Sequence, residues 1–314
     1  MSNSETFTIV VHGGAGTIRR KHLTEALEAE YRQALIDAVE VGSEILSGGG
    51  SALKAVEAAV VSLEDCVLFN AGRGSVFSAD GSHEMDASIM CGKTLDAGAV
   101  AGVQSIKNPV SLAQQILAHS DHVMLAGDGA KDFAESRNMK LESDEYFYSE
   151  MRYKQWQKVA GTNQTALDHN IDVSDKKFGT VGAVALDQNG NVAAATSTGG
   201  ITNKKYGRIG DSPIIGVGNY ANNKTCAVSC TGDGEFFIRG VVAYDIAAMM
   251  EFTDCSLEHA CKTVIHERVI KIGGEGGAIA VDAHGNISME FNSAGMYRSY
   301  KQGNGKIITG IFES

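Results

Sequence analysis

The chain has 314 residues, 43% of them hydrophobic and 21% charged, and a formal net charge of −11. That is chain enough for a genuine core, and the composition excludes both a disordered protein and a coiled-coil rod. No apolar run reaches the ~20 residues of a membrane helix, and the acidic balance argues against nucleic acid or an anionic membrane as partner.

Glycine is the unusual count, 37 residues against two prolines, Pro109 and Pro213. Many positions therefore call for tight turns or close backbone approach to a ligand. The opening residues Met1–Thr6 carry neither the basic nor the apolar segment of a secretory signal. Six cysteines without a CxxC pair read as buried thiols of a reducing compartment, so a cytoplasmic protein is expected.

In chain order, Phe7–Val11 reads as a buried strand that stops at His12-Gly13-Gly14-Ala15-Gly16. Apolar residues at helical spacing predict a helix over Leu23–Leu46, ended by Gly48-Gly49-Gly50. Ser51 is the expected N-cap of a second helix with Leu53, Val56, Val60 and Leu63 on one face. Strands are expected at Asp86–Cys91 and Gly98–Val103, and a helix after Pro109. The polar stretch from about 160 to 177 is too long for an ordinary connection inside a compact domain, so it reads as a mobile linker or a functional segment. A hairpin, Thr180–Leu186 with Val192–Ser197, turns at Asn189-Gly190. Helices near Glu235–Met250 and Ser256–Ile270 precede a second hairpin, Ala278–Val281 with Ile287–Phe291. Together these predict helices layered on a largely antiparallel sheet.

Familiar motifs fail on inspection. Gly216-Val217-Gly218-Asn219-Tyr220-Ala221 matches a dinucleotide fingerprint, yet Asn222-Asn223-Lys224-Thr225 starts no helix to receive a phosphate. Gly92-Lys93-Thr94 lacks the first glycine of a P-loop. His119 with His122, and His259, Cys261 and His266, complete no ligand set with a carboxylate. A GxSxG elbow is also missing.

Threonine carries the signal instead. Thr180 follows Gly179 at the end of the polar linker, Thr196 and Thr198 end the hairpin's return strand, and Thr231 lies in Cys230-Thr231-Gly232-Asp233-Gly234. A threonine hydroxyl needs a base, and without a histidine the arrangement that supplies one is an N-terminal Thr whose α-amine takes the proton. That amine has a reference pKa of about 7.7–8.0, so much of it is neutral near pH 7. The chain would then have to be cut between Gly179 and Thr180, where glycine leaves the carbonyl open to the hydroxyl. In Gly207-Arg208-Ile209-Gly210-Asp211, Arg208 matches an α-carboxylate and Asp211 an α-ammonium, the two ends of a free amino-acid head. The same pair also reads as a surface ion pair three residues apart.

The blocks Val11–Gly16, Leu68-Phe69-Asn70-Ala71-Gly72, Met85-Asp86-Ala87-Ser88, Gly179–Ala185, Ala195–Gly200, Gly207–Pro213 and Cys230–Glu235 extend over essentially the whole chain. In this order they resemble the plant-type, or isoaspartyl peptidase/L-asparaginase, family of N-terminal nucleophile (Ntn) hydrolases. The resemblance implies an α+β fold, an αββα sandwich of two stacked, mainly antiparallel sheets flanked by helices. It implies one domain over 1–314, autocleaved into 1–179, with a mobile linker at about 160–179, and 180–314. Two such pairs would self-associate as an (αβ)2 heterotetramer.

Carried over residue by residue, Thr180 is the nucleophile, Thr198 orients its terminus, and Thr231 with the Gly232 N–H forms the oxyanion hole. Arg208 would bind the substrate α-carboxylate, Asp211 and the Gly234 carbonyl its α-ammonium, and Asn70 would lie near the nucleophile. The implied substrates are β-aspartyl dipeptides and L-asparagine, cleaved through a β-aspartyl ester. No cofactor is implied for catalysis. A structural sodium is implied on backbone oxygens of Leu63, Glu64, Cys66, Phe69, Ala71 and Arg73, oxygen donors being suited to a hard cation. Asp233 and Arg73 occupy places that vary among relatives. A glycosylasparaginase-type amidase would usually carry Asp where Gly179 stands, with a signal and disulfides. An uncleaved amino-acid-binding protein remains the reading from another class.

Overall fold

The protein is described by a computed structural model that covers residues 6–18, 20, 23–165 and 179–313. The expected linker falls largely at 166–178, outside the described residues, whereas 160–165 is described as turn and coil.

Strand β1 (Thr8–Gly16) precedes helices α1 (Glu25–Ser47) and α2 (Ala52–Glu64). Both helices start on side-chain caps, Thr24 accepting from the Leu27 N–H and Ser51 from the Lys54 N–H. Such caps satisfy amides that the first turn leaves without a partner. Strands β2 (Met85–Cys91) and β3 (Ala97–Val103) lead to α3 (Pro109–His119), whose proline occupies the first turn, where no N–H is needed. The segment from 124 to 157 folds as β4 (Met124–Ala126), α4 (Gly127–Ser136), α5 (Asp144–Phe147) and α6 (Glu150–Gln157).

The hairpin β5 (Val181–Leu186) and β6 (Val192–Thr198) follows, then β7 (Asn219–Ala221) and β8 (Cys226–Gly232). The expected helix near 235–250 is two helices, α7 (Gly234–Gly240) and α8 (Val242–Thr253), broken at Val241, whose φ is +50°. A β-branched residue in left-handed backbone cannot continue a helix, so the apolar period alone concealed the break. Helix α9 (Leu257–Thr263) continues as one π-turn over Val264–Val269. The chain closes with β9 (Gly276–Asp282), β10 (Ile287–Phe291), β11 (Gly295–Gln302) and β12 (Ile308–Gly310).

An eight-stranded sheet has the order β12-β11-β1-β5-β6-β2-β3-β4, and a four-stranded sheet the order β10-β9-β8-β7. Every pairing is antiparallel except β3 with β4. The period-2 alternation of strands sorts side chains into layers. Ile9, Val11, Ala183, Ala185, Ala193 and Ala195 pack with the residues of α1 and α2. Their neighbours Val10, Val184, Leu186, Val192 and Ala194 point the other way, onto Ala227, Ile279 and Val281 of the smaller sheet. That sheet's far face, Val228, Cys230, Ala278 and Ala280, is covered by α7, α8 and α9. The layers therefore run helix, sheet, sheet, helix, the αββα sandwich that the resemblance implies.

Both hairpin turns are pinned by an aspartate. Asp187 Oδ1 accepts from the Asn189 and Asn191 N–H groups while Oδ2 accepts from the N–H of Ala52 at the start of α2. Asp282 does the same for His284 and Asn286 in the second hairpin. Of the six cysteines, Cys226, Cys230 and Cys261 are buried as expected, whereas Cys66, Cys91 and Cys255 are half-buried. No described helix is long and apolar enough to cross a membrane.

Ile279 lies wholly between the sheets. Ile279→Ala is expected to lower stability by about 2–5 kcal/mol, read as a shift of the urea midpoint with little change in slope.

Candidate active site

The hairpin register builds the centre of the site. Val181 pairs with Ser197, so Thr180, one residue before, faces Thr198 across the open end of the hairpin. The Thr180 hydroxyl donates to Thr198 Oγ1 at 3.3 Å, and Thr198 Oγ1 also accepts from the Gly200 N–H at 3.0 Å. Both residues are buried, Thr180 with 5% of its surface exposed. From the other sheet, Thr231 and Gly232 end β8. Thr231 Oγ1 accepts from the N–H of Ala15 at 3.3 Å, which brings the glycine-rich end of β1 to the same place.

One step deeper, two residues along β6 and β8 and three along β1 across its bulge, runs a polar bridge between the sheets. His12 Nε2 lies 2.9 Å from Ser229 Oγ, Ser229 Oγ lies 2.7 Å from Thr196 Oγ1, and Thr196 donates to the Gly218 carbonyl. Gly182, two residues after Thr180, leaves room for it. A Cβ there would stand 2.0 Å from Ser229 Oγ and 2.5 Å from His12 Nε2. Burial holds the His12 imidazole neutral, pushing its pKa down to about 3 against a hydrogen bond to the Thr180 backbone that raises it. His12 is thus no base for the threonine at ordinary pH. The fingerprint-like Gly216–Ala221 segment is a turn entering β7, and the Gly218 carbonyl serves this bridge.

The loop Gly207–Ser212 closes one wall. The cleft lined by Gly179, Thr180, Thr198, Gly200, Ile201, Arg208, Gly210, Asp211, Ser212 and Gly232 holds about 10 Å³ of free volume, near the room for one water. Ser88 of β2 ties the loop down by donating to the Ser212 carbonyl at 2.6 Å. Asp211 is buried, its Oδ2 is without a hydrogen-bond partner among the described residues, and burial pushes its carboxyl up to about 7. Arg208 does not pair with Asp211. Its Nε and Nη2 instead take both oxygens of Glu235, at 2.9 and 2.8 Å. These hydrogen bonds hold Glu235 down to about 2. The ion pair three residues apart is therefore replaced by one that spans 27 residues, beyond the reach of local spacing. Gly234 lies between the two charged groups, since a Cβ on it would stand 2.9 Å from Arg208 Nη2 and 3.0 Å from Asp211 Oδ1.

Asn70 braces the floor rather than bonding Thr180. Its Nδ2 donates to the Gly200 carbonyl at 2.7 Å and its Oδ1 accepts from the Val76 N–H at 3.0 Å. Behind it, the Glu64 side chain is fully buried and accepts from Ser197 at 2.6 Å and from the Val110 N–H at 3.0 Å. Ser197 adjoins Thr198, so Glu64 links the end of α2 to β6. The turn itself, from Leu63 through Cys66, Phe69, Ala71 and Arg73, curls tightly enough that a Cβ on Gly74 would meet the Phe69 carbonyl at 2.0 Å. The buried Arg152 donates from Nε to the Gly74 carbonyl and from Nη2 to that of Leu68. His12, Ser229, Arg152 and Glu235 escaped the reading of the sequence as site residues, and Glu64 entered it only through its backbone oxygen. Each acts through a partner distant in the chain, which no motif announces.

Burial pushes the Glu64 carboxyl from 4.5 up to about 8. The folded chain therefore keeps a proton there that the unfolded chain loses, and this contribution to stability is full below pH 4.5 and is lost as pH rises to about 8. Glu64→Gln removes the titration, so its melting temperature relative to the unaltered chain should climb across that interval. A difference that stays flat with pH would show that Glu64 is ionised in the fold.

Residues 5–311 match the asparaginase family. The chain is 50% identical over 306 residues to the isoaspartyl peptidase of Escherichia coli (strain K12), covering 97% of this chain and 95% of that one. It is 44% identical over 285 residues to the isoaspartyl peptidase/L-asparaginase of Xenopus laevis, covering 91% and 89%. The Bos taurus protein of that name is 40% identical over 303 residues, covering 96% and 95%. With a match across nearly its whole length and the αββα layers in place, the chain belongs to the asparaginase family.

Proposed function

We propose that the protein is a threonine hydrolase that matures by cutting itself and then cleaves β-aspartyl dipeptides and L-asparagine. The observation that carries this reading is Thr180, buried at the head of β5 with its hydroxyl 3.3 Å from Thr198, in a chain of this family. Maturation begins when the Thr180 hydroxyl attacks the Gly179 carbonyl. The peptide bond becomes an ester, water hydrolyses that ester, and the α-amine of Thr180 is freed. The fragments 1–179 and 180–314 remain packed in one sandwich, and two pairs associate as (αβ)2.

In the mature enzyme the α-amine takes the proton of its own hydroxyl. The hydroxyl oxygen attacks the β-carbonyl of the aspartyl group, and Thr231 Oγ1 with the Gly232 N–H receives the developing oxyanion. Loss of one such donor costs on the order of 3–4 kcal/mol of barrier. The amine leaves with the returned proton, and water cleaves the β-aspartyl ester. Arg208 binds the α-carboxylate, while Asp211 and the Gly234 carbonyl bind the α-ammonium. An unpartnered buried carboxylate oxygen is a fitting receptor for that cation. Asparagine and β-aspartyl dipeptides share this head and differ only in the leaving amine.

The turn 63–73 suits a structural sodium. The oxygens it would offer are the backbone carbonyls of Leu63, Glu64, Cys66, Phe69, Ala71 and Arg73, of which those of Leu63, Cys66 and Ala71 each also accept a backbone N–H, while Arg152 engages two other carbonyls, Leu68 and Gly74. The ion would stiffen the turn beneath Asn70 and supply no chemistry.

Thr180→Ala should yield an uncut chain of 33.1 kDa with no hydrolysis of either substrate. Two fragments from that variant would end the proposal. Both the α-amine, with its reference pKa of about 7.7–8.0, and Asp211, raised to about 7, act unprotonated. Activity as kcat/KM should therefore fall as pH drops below 8, steepening past 7, and rise to a plateau above. A profile level from pH 6 to 9 would contradict both assignments.

A further inference from the structure

Arg208 is a long, flexible side chain at the edge of a glycine-rich loop. Left alone, its guanidinium would sample many orientations, and ordering it would weaken substrate binding. Three features restrain it. Gly210 and Gly234 flank it, because a Cβ on either would stand 2.9 Å from Nη1 and from Nη2 respectively. Glu235, the second residue of α7, takes Nε and Nη2 together. A guanidinium offers two bidentate edges, one along Nε and one across its two terminal nitrogens. Glu235 occupies the first and leaves the Nη1/Nη2 edge free of any carboxylate among the described residues.

We infer that Glu235 is a positioning residue: it clamps the Nε edge of Arg208 so that the opposite edge is presented, already oriented, to the α-carboxylate of the substrate. The inference rests on the reading of Arg208 given above. Glu235 touches no reacting atom, and its side chain is 54% exposed, so as a bare ion pair it would contribute little to stability. Its contribution falls on binding, because the bidentate fork is aligned before the substrate arrives and little rotamer freedom remains to be lost. Binding of the common head group is uniform between ground and transition state, so loss of the clamp should raise KM and leave kcat nearly unchanged.

The test compares the unaltered enzyme with Glu235→Ala and Glu235→Gln on L-asparagine, on β-aspartyl-leucine and on 3-aminopropanamide, which is asparagine without its α-carboxylate. Glu235→Ala should raise KM for the first two on the order of tenfold while kcat changes by less than about twofold. Glu235→Gln keeps one oxygen to accept from Nε and should fall between. On 3-aminopropanamide, where Arg208 has no carboxylate to meet, all three proteins should share the same kcat/KM. Autocleavage and melting temperature should be unaltered, which separates positioning from folding; if Glu235→Ala does not mature, the same comparison on Glu235→Gln decides.

An unchanged KM would overturn the inference, and so would a lowered one, which would mean that Glu235 competes with the substrate for Arg208. An equal loss on 3-aminopropanamide would overturn it too. An unaltered enzyme that hydrolyses neither asparagine nor β-aspartyl-leucine would instead refute the proposed function, a distinct result.

Discussion

The register of one hairpin governs the geometry of the whole site. Because Val181 pairs with Ser197, Thr180 and Thr198 meet at the open end of β5 and β6, and Gly182 and Thr196 fall one layer deeper on the same face. A slip of one residue would turn Thr196 and Thr198 toward α2 and aim Ser197 at the cleft, since strand side chains alternate strictly. The register is held from both sides. Apolar neighbours Val184 and Ala194 face the second sheet, and Asp187 closes the turn on the N–H groups of Asn189 and Asn191.

Stacking the smaller sheet on this hairpin brings Thr231 and Gly232 to the same end, and the His12–Ser229–Thr196 bridge fixes how the sheets meet. A buried polar bridge of this kind constrains alignment more than it adds stability, because any offset leaves a hydroxyl or a ring nitrogen without a partner. Glycine at 182 is the other half of the device. It allows the histidine and serine to close directly beneath the threonine, where any side chain would force the sheets apart.

Electrostatics follows the same logic of burial. Asp211 and Glu64 are both raised by loss of water, yet they serve different ends. Asp211 turns an oxygen without a partner among the described residues into the cleft, whereas Glu64 lies behind it, with its Oε1 accepting from Ser197 and from the start of α3. Glu235 stands at the other extreme, more than half exposed and held ionised by Arg208. A neutral acid behind the site, a poised acid within it and a fixed anion at its rim arise from three degrees of access to water.

Much of this was legible in the residues themselves. The capped start of α2, the Asn189-Gly190 turn, the strand alternation and the threonines at strand ends are local, set by neighbours within a few positions, and such patterns survive in any context that buries one face. The break at Val241 was not legible, since tertiary packing there overrides local periodicity. The partners of Arg208, Thr196 and Ser197 are separated from them by 27, 33 and 133 residues. By itself the sequence determined which groups could do chemistry and on which kind of element each would stand. Only the packing of sheet on sheet decided which of them meet, because contacts between distant segments are chosen by the shape and satisfaction of the whole interior, which no stretch of chain encodes alone.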